Sequence, residues 1–135
     1  MAKSSNQKTK LLHLSRMLLR QSDEEHPLSV TQIIEGLARY DIRAERKSIY
    51  DDMEALRLFG LDIQCRKGKS PGWFIGSREF ELPEVKLLMD AVQSSRFITQ
   101  KKSDALIRKL EGLASVHEAG QLQRQVYVSG RIKVM

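Results

Sequence analysis

The chain has 135 residues with an apolar fraction of 41%, enough for one ordinary domain or a small domain with an appendage, and too short for a barrel enzyme. Its 23 Lys and Arg against 17 Asp and Glu leave a formal charge of +6, which favours an anionic partner, nucleic acid first, without requiring one. No apolar run approaches the roughly 18 residues of a membrane span, and the opening MAKSSNQKTK lacks the apolar stretch of a secretory signal, so a cytoplasmic protein with no membrane partner is expected. Cys65 stands alone and His13, His26 and His117 are far apart; an intrachain disulfide is excluded, and neither a metal nor a cofactor is expected.

Along the chain, Leu11, Leu12, Leu14, Met17, Leu18 and Leu19 recur at helical spacing, predicting an amphipathic helix between Ser5 and Gln21. SDEEHP breaks it. Ser29 with Gln32 three residues later is a helix-start pattern, and Ile33, Ile34 and Leu37 continue the second helix to about Tyr40. A third helix follows from about Glu45 to Leu58, with Gly60 where a left-handed terminating residue belongs. On a wheel of about 100° per residue, Ile49, Met53 and Leu56 share one side, while Lys47, Asp51 and Glu54 fall opposite.

The period then changes. Leu61, Ile63 and Cys65 alternate with polar neighbours, and Trp73-Phe74-Ile75 follows KGKSPG, so two strands form a hairpin with a basic tip. This pattern places Cys65 and Trp73 in the core. Pro83 and the early acids mark the start of a fourth helix running to about Ser95. A fifth begins at Thr99 or Ser103 and carries Leu106, Ile107, Leu110 and Leu113. Gln125 to Val134 alternates as a strand or hairpin.

Two helices joined by a short turn and followed by a strand pair are what a helix-turn-helix with a wing requires. The expected fold class is α+β: a winged helix-turn-helix over residues 1–78, then a helical linker with a terminal strand over residues 79–135. The exposed side of the third helix can then enter a major groove about 12 Å wide. Winged helices also dock proteins, so the topology admits a second reading, an interaction or dimerisation module that binds no DNA.

Under the DNA reading, Arg46, Lys47 and Ser48 occupy the first helical turn, where side chains reach base edges. Tyr50 either donates to a phosphate or packs on the hairpin. Arg66, Lys67 and Lys69 around Gly68 form a cationic tip suited to phosphate or minor-groove contact. No nucleophile with a base and no phosphate-cradling glycine loop is present, and adjacent Asp51 and Asp52 diverge by about 100° on a helix. An enzyme is not expected.

ERKSIYDDMEALRLFGLDI, the Lys-Gly hairpin tip, REFELPEVKLLMDAVQSSRFIT and KKSDALIRKLEGL together resemble the N-terminal part of WYL-domain transcriptional regulators. The resemblance spans about residues 8 to 134. It implies a sequence-specific regulator of double-stranded DNA, with a ligand-sensing domain C-terminal to the residues present here, and hence either a fragment of a longer chain or a short paralogue. It also implies that Lys47 and Ser48 stand for an Arg-Thr pair on the reading helix, that Glu45 replaces a capping Ser, and that Asp51 replaces a second DNA-contacting Arg. An aspartate there either accepts a hydrogen bond from cytosine N4 or repels phosphate. Finally, Leu87, Leu88, Met89, Val92, Phe97 and Ile98 exceed what two helices bury against each other, so a homodimer through residues 79–135 is expected.

Overall fold

The structure, a computed structural model, describes residues 7–124 of the chain. It is α+β and falls into two compact units, Met1–Ser77 and Arg78–Met135. The strand expected at Gln125 to Val134 lies outside the described residues. Among those residues, no helix is long and apolar enough to cross a membrane.

The first unit contains α1 (Lys10–Gln21), α2 (Val30–Ala38), α3 (Arg46–Phe59), β1 (Ile63–Arg66) and β2 (Gly72–Ile75). Helix α1 turns Leu14, Met17 and Leu18 inward, whereas Leu11 and Leu12 of the same apolar run stay exposed; a helix presents one face to a core, and a run of leucines overfills it. Helix α2 begins as expected, with the Ser29 hydroxyl accepting from the Gln32 N–H at 3.1 Å and the Gln32 side chain accepting from the Ser29 N–H at 2.9 Å. It ends where Asp41 adopts a left-handed φ of 58°, and the Ile42 N–H turns back to the Leu37 carbonyl at 3.1 Å. That turn buries Ile42 and launches α3.

Helix α3 contributes Ile49, Met53 and Leu56 to the core. It stops at Gly60, whose φ of 130° is costly for any residue with a Cβ. The Arg57 guanidinium donates from Nε and Nη2 to the Ile63 carbonyl at 3.2 and 3.0 Å, holding the end of α3 to the start of β1.

The strands pair antiparallel with Ile63 opposite Ile75 and Cys65 opposite Trp73. The outer edge of β2 is occupied as well: Leu28, just before α2, exchanges two backbone hydrogen bonds with Trp73 at 2.8 and 2.9 Å. Gly72 lies against the Leu28 carbonyl, where a Cβ would collide with it. Trp73 is buried, as its sequence context predicts, but Cys65 is exposed. Its placement in the core is thus corrected. Alternation puts Cys65 on the same strand face as buried Ile63, yet one residue pair further out along the hairpin β1 is exposed from Gln64 onward, because the helices support its base only.

At that base the buried Ser22 hydroxyl donates to the Leu18 carbonyl at 2.6 Å and accepts from the Ile75 N–H at 3.1 Å, joining the end of α1 to β2. The Asp62 carboxylate closes the hairpin exit, accepting from the Ser77 N–H at 2.7 Å, the Ser77 hydroxyl at 2.8 Å and the Gln64 amide at 2.6 Å. These donors, the Ser77 hydroxyl foremost, hold the Asp62 carboxyl below the ordinary aspartate pKa.

The second unit contains α4 (Leu82–Ser94), α5 (Gln100–Glu111) and a further helix, α6, over residues 116–124. Val85, Met89 and Leu122 form its core, with Phe80, Leu82, Ile107, Leu110 and Leu113 packed against them. Thr99 caps α5 by accepting from the Lys102 N–H at 3.1 Å. Helix α6 has no counterpart in the sequence reading, although Ser115 and Glu118 make a reciprocal pair at its start: the Ser115 hydroxyl accepts from the Glu118 N–H at 3.1 Å, and Glu118 Oε1 accepts from the Ser115 N–H at 3.2 Å.

Two outcomes follow. Replacing Ser22 by Ala strands the Ile75 N–H in the interior and lowers stability by about 1–3 kcal/mol, measured by urea unfolding. Because the folded pKa of Asp62 is depressed, its contribution is complete above the ordinary aspartate range and is lost as pH falls through the folded value; Asp62→Asn therefore flattens the acid limb of the stability profile relative to the parent.

Candidate nucleic-acid interface

The exposed side of α3 is defined by what the core takes. With Ile49, Met53 and Leu56 buried, Arg46, Tyr50, Glu54, Lys47 and Asp51 occupy an exposed arc of about 140° that begins beside the buried stripe and turns away from it. Arg46 and Lys47 open the arc in the first turn, Asp51 and Glu54 follow, and the exposed Arg57 falls within the same arc, so the face is cationic at its N-terminal end and its acids offset most of its cations. Neither Arg46 nor Lys47 is ion-paired among the described residues, and Glu54 binds Arg57 at 2.6 Å. Of the sequence-derived candidates on this helix, Arg46, Lys47, Tyr50 and Asp51 therefore share one exposed surface.

Ser48 does not join them. Its hydroxyl accepts from the Glu45 N–H at 3.3 Å, donates to the Glu45 carbonyl at 2.9 Å and accepts from Lys10 Nζ at 3.0 Å. The side chain expected at the base edges instead secures the first turn of α3 by bonding both backbone groups of Glu45, the capping residue.

Lys10 is the residue the sequence reading missed. It lies on the buried face of α1, and its ammonium also meets Asp52 Oδ2 at 2.8 Å, with side-chain exposures of 9% for the lysine and 18% for the aspartate. One cation thus grips two successive turns of α3 from the neighbouring helix. A lysine at an apolar position of a helical stripe was the available signal, since its charge requires a partner.

Tyr50 packs on the hairpin, the second of its two expected roles. Its ring meets the buried Trp73 edge-on, with centroids 5.1 Å apart and planes at 72°, while 52% of the residue stays exposed. This contact sets β2 beside the exposed arc of α3. Beyond it the hairpin carries Arg66, Lys67 and Lys69, all exposed and none ion-paired among the described residues. The arrangement offers a near-neutral helix face that can read donors and acceptors and, next to it, an uncompensated cationic tip that can hold phosphate. Among the described residues no group of three or more His, Cys, Asp or Glu is placed to hold a metal ion.

Removing the lysine while leaving its partner tests the weight of the grip. Lys10→Met leaves Asp52 buried without its cation and destabilises the chain by about 3 kcal/mol, whereas Lys10→Met with Asp52→Leu recovers most of that loss; chemical denaturation of the two variants checks it. A single-variant cost below about 1 kcal/mol would assign the contact the weight of a surface pair. Compared with protein-family models, with curated proteins and with solved structures, the chain matches none of them.

Proposed function

We propose that the chain binds double-stranded DNA as a transcriptional regulator, its first unit acting as a winged helix-turn-helix of the kind found in WYL-domain regulators. The observation that carries this reading is the pairing of two surfaces by the Tyr50–Trp73 contact: an exposed α3 face opening with Arg46 and Lys47, and a hairpin tip with Arg66, Lys67 and Lys69. The short connection between α2 and α3 and the hairpin after α3 have the order that major-groove insertion of α3 demands. Lys47 is the base-reading cation, suited to guanine O6 and N7, and Asp51 either accepts from cytosine N4 or discourages loose phosphate binding. Arg66, Lys67 and Lys69 position the protein on the backbone.

The second unit supplies pairing of two such domains in this proposal. Leu87 and Phe97 are 69% and 99% exposed, and a homodimer through residues 79–135 covers them and presents two reading helices to a pseudo-palindromic site. Met89, counted among the surplus apolar residues by sequence, belongs to the core of its own unit instead. Sedimentation at about tens of micromolar, a range that captures weak association, yields a dimer; a monomer there removes this part of the proposal.

DNA binding is tested by titrating labelled duplexes across a salt series. About three to six phosphate contacts per unit, each releasing roughly 0.9 counterion, give a steep inverse dependence on salt; a flat profile leaves the interaction-module reading in its place. Lys47→Ala costs about 1–3 kcal/mol on the preferred site and relaxes preference at one base pair, whereas Lys67→Ala with Lys69→Ala weakens all duplexes alike and shallows the salt slope by roughly one to two units. Equal loss on specific and random duplexes for Lys47→Ala would remove Lys47 from base reading.

A further inference from the structure

Between α1 and α2 of the first unit lies a cleft of about 390 Å³, within the range of small-molecule sites. Three arginines line it. Arg16 and Arg20 stand about one turn apart on α1, some 6 Å along the axis, and Arg39 comes from the end of α2. The lining contains one acid, Glu35, so two positive charges are uncompensated. Among the described residues none of the three arginine side chains makes an ion pair or a hydrogen bond. At one end His13 and Tyr40 stack with ring centroids 4.1 Å apart and planes at 22°, tying α1 to the chain just beyond α2.

Guanidinium groups gathered on a concave surface repel one another, and the low-dielectric walls of a cleft focus the resulting potential. A multivalent anion relieves that repulsion and offers the oxygen pairs that guanidinium forks bind bidentately. We propose that this cleft binds a compact anion carrying two or more phosphate or carboxylate groups. The cleft is concave and carries Glu35 among its arginines, features that oppose a continuous duplex backbone; in a small ligand the same carboxylate accepts a hydrogen bond from a hydroxyl or amine. The site shares no residue with the α3 face or the hairpin tip and stands apart from the DNA-binding reading.

The test is calorimetric titration of pyrophosphate, and separately of citrate, into the full chain at constant ionic strength. Saturable binding of at least one of them, with a dissociation constant below about 1 mM, is expected. Arg16→Gln with Arg39→Gln weakens it about tenfold or more and Glu35→Gln tightens it, while Lys67→Ala with Lys69→Ala leaves it unchanged. All the substituted side chains are exposed, and thermal melts by circular dichroism verify that each variant is folded. Absence of saturable binding by both anions overturns the proposal. So does an equal loss in the hairpin-tip variant, which would mark a diffuse charge effect, and so does loss of duplex affinity in the arginine variant without saturable anion binding, which would assign the arginines to the DNA backbone.

Discussion

The first unit depends on the two backbone hydrogen bonds between Leu28 and Trp73. A two-stranded hairpin alone is marginal in water. Here the segment leading into α2 lies along the free edge of β2, so the hairpin is held by main-chain bonds as well as by side chains. Close approach is possible because Gly72 puts no Cβ against the Leu28 carbonyl. Trp73, fixed from both sides, becomes the buried surface on which Tyr50 rests. Helix entry, hairpin and the exposed side of α3 therefore meet at one residue, and their mutual placement follows from it.

Charge is distributed on a different principle from packing. Among the described residues the interior admits one ammonium, that of Lys10, and gives it Asp52 and Ser48; the outer arc of α3 offsets most of its cations with Asp51 and Glu54; the hairpin tip leaves its cations uncompensated, and the cleft between α1 and α2 sets Glu35 against three arginines. Charges are costly to bury and cheap to expose, so folding explains the paired lysine and says nothing about the unpaired cations.

Much of the fold was legible because its signals are local. Ser29 with Gln32, Gly60 and Pro83 each constrain a few neighbouring residues, and the structure uses each where the pattern put it. Ser115 with Glu118 is the same kind of signal, passed over because no strong apolar stripe follows it. Cys65 shows a different limit: alternation reveals which residues share a face, whereas burial depends on how far the helices extend beneath the strand. The Lys10 contact with Ser48 and Asp52 joins positions some forty residues apart, and no periodicity encodes it. The place of Ser48 in the first turn points to the base edges, while its hydroxyl is engaged by Glu45 and Lys10.

The division of α3 into committed and uncommitted positions bears on how this surface can evolve. Ser48, Ile49, Asp52, Met53 and Leu56 are bound to the rest of the unit, while Arg46, Lys47 and Asp51 touch solvent. Selection can therefore rewrite the second set without disturbing the first. A drifting or duplicated copy can acquire a new recognition preference in a few steps through folded intermediates, because the residues that would define the preference are not the ones that hold the helix in place.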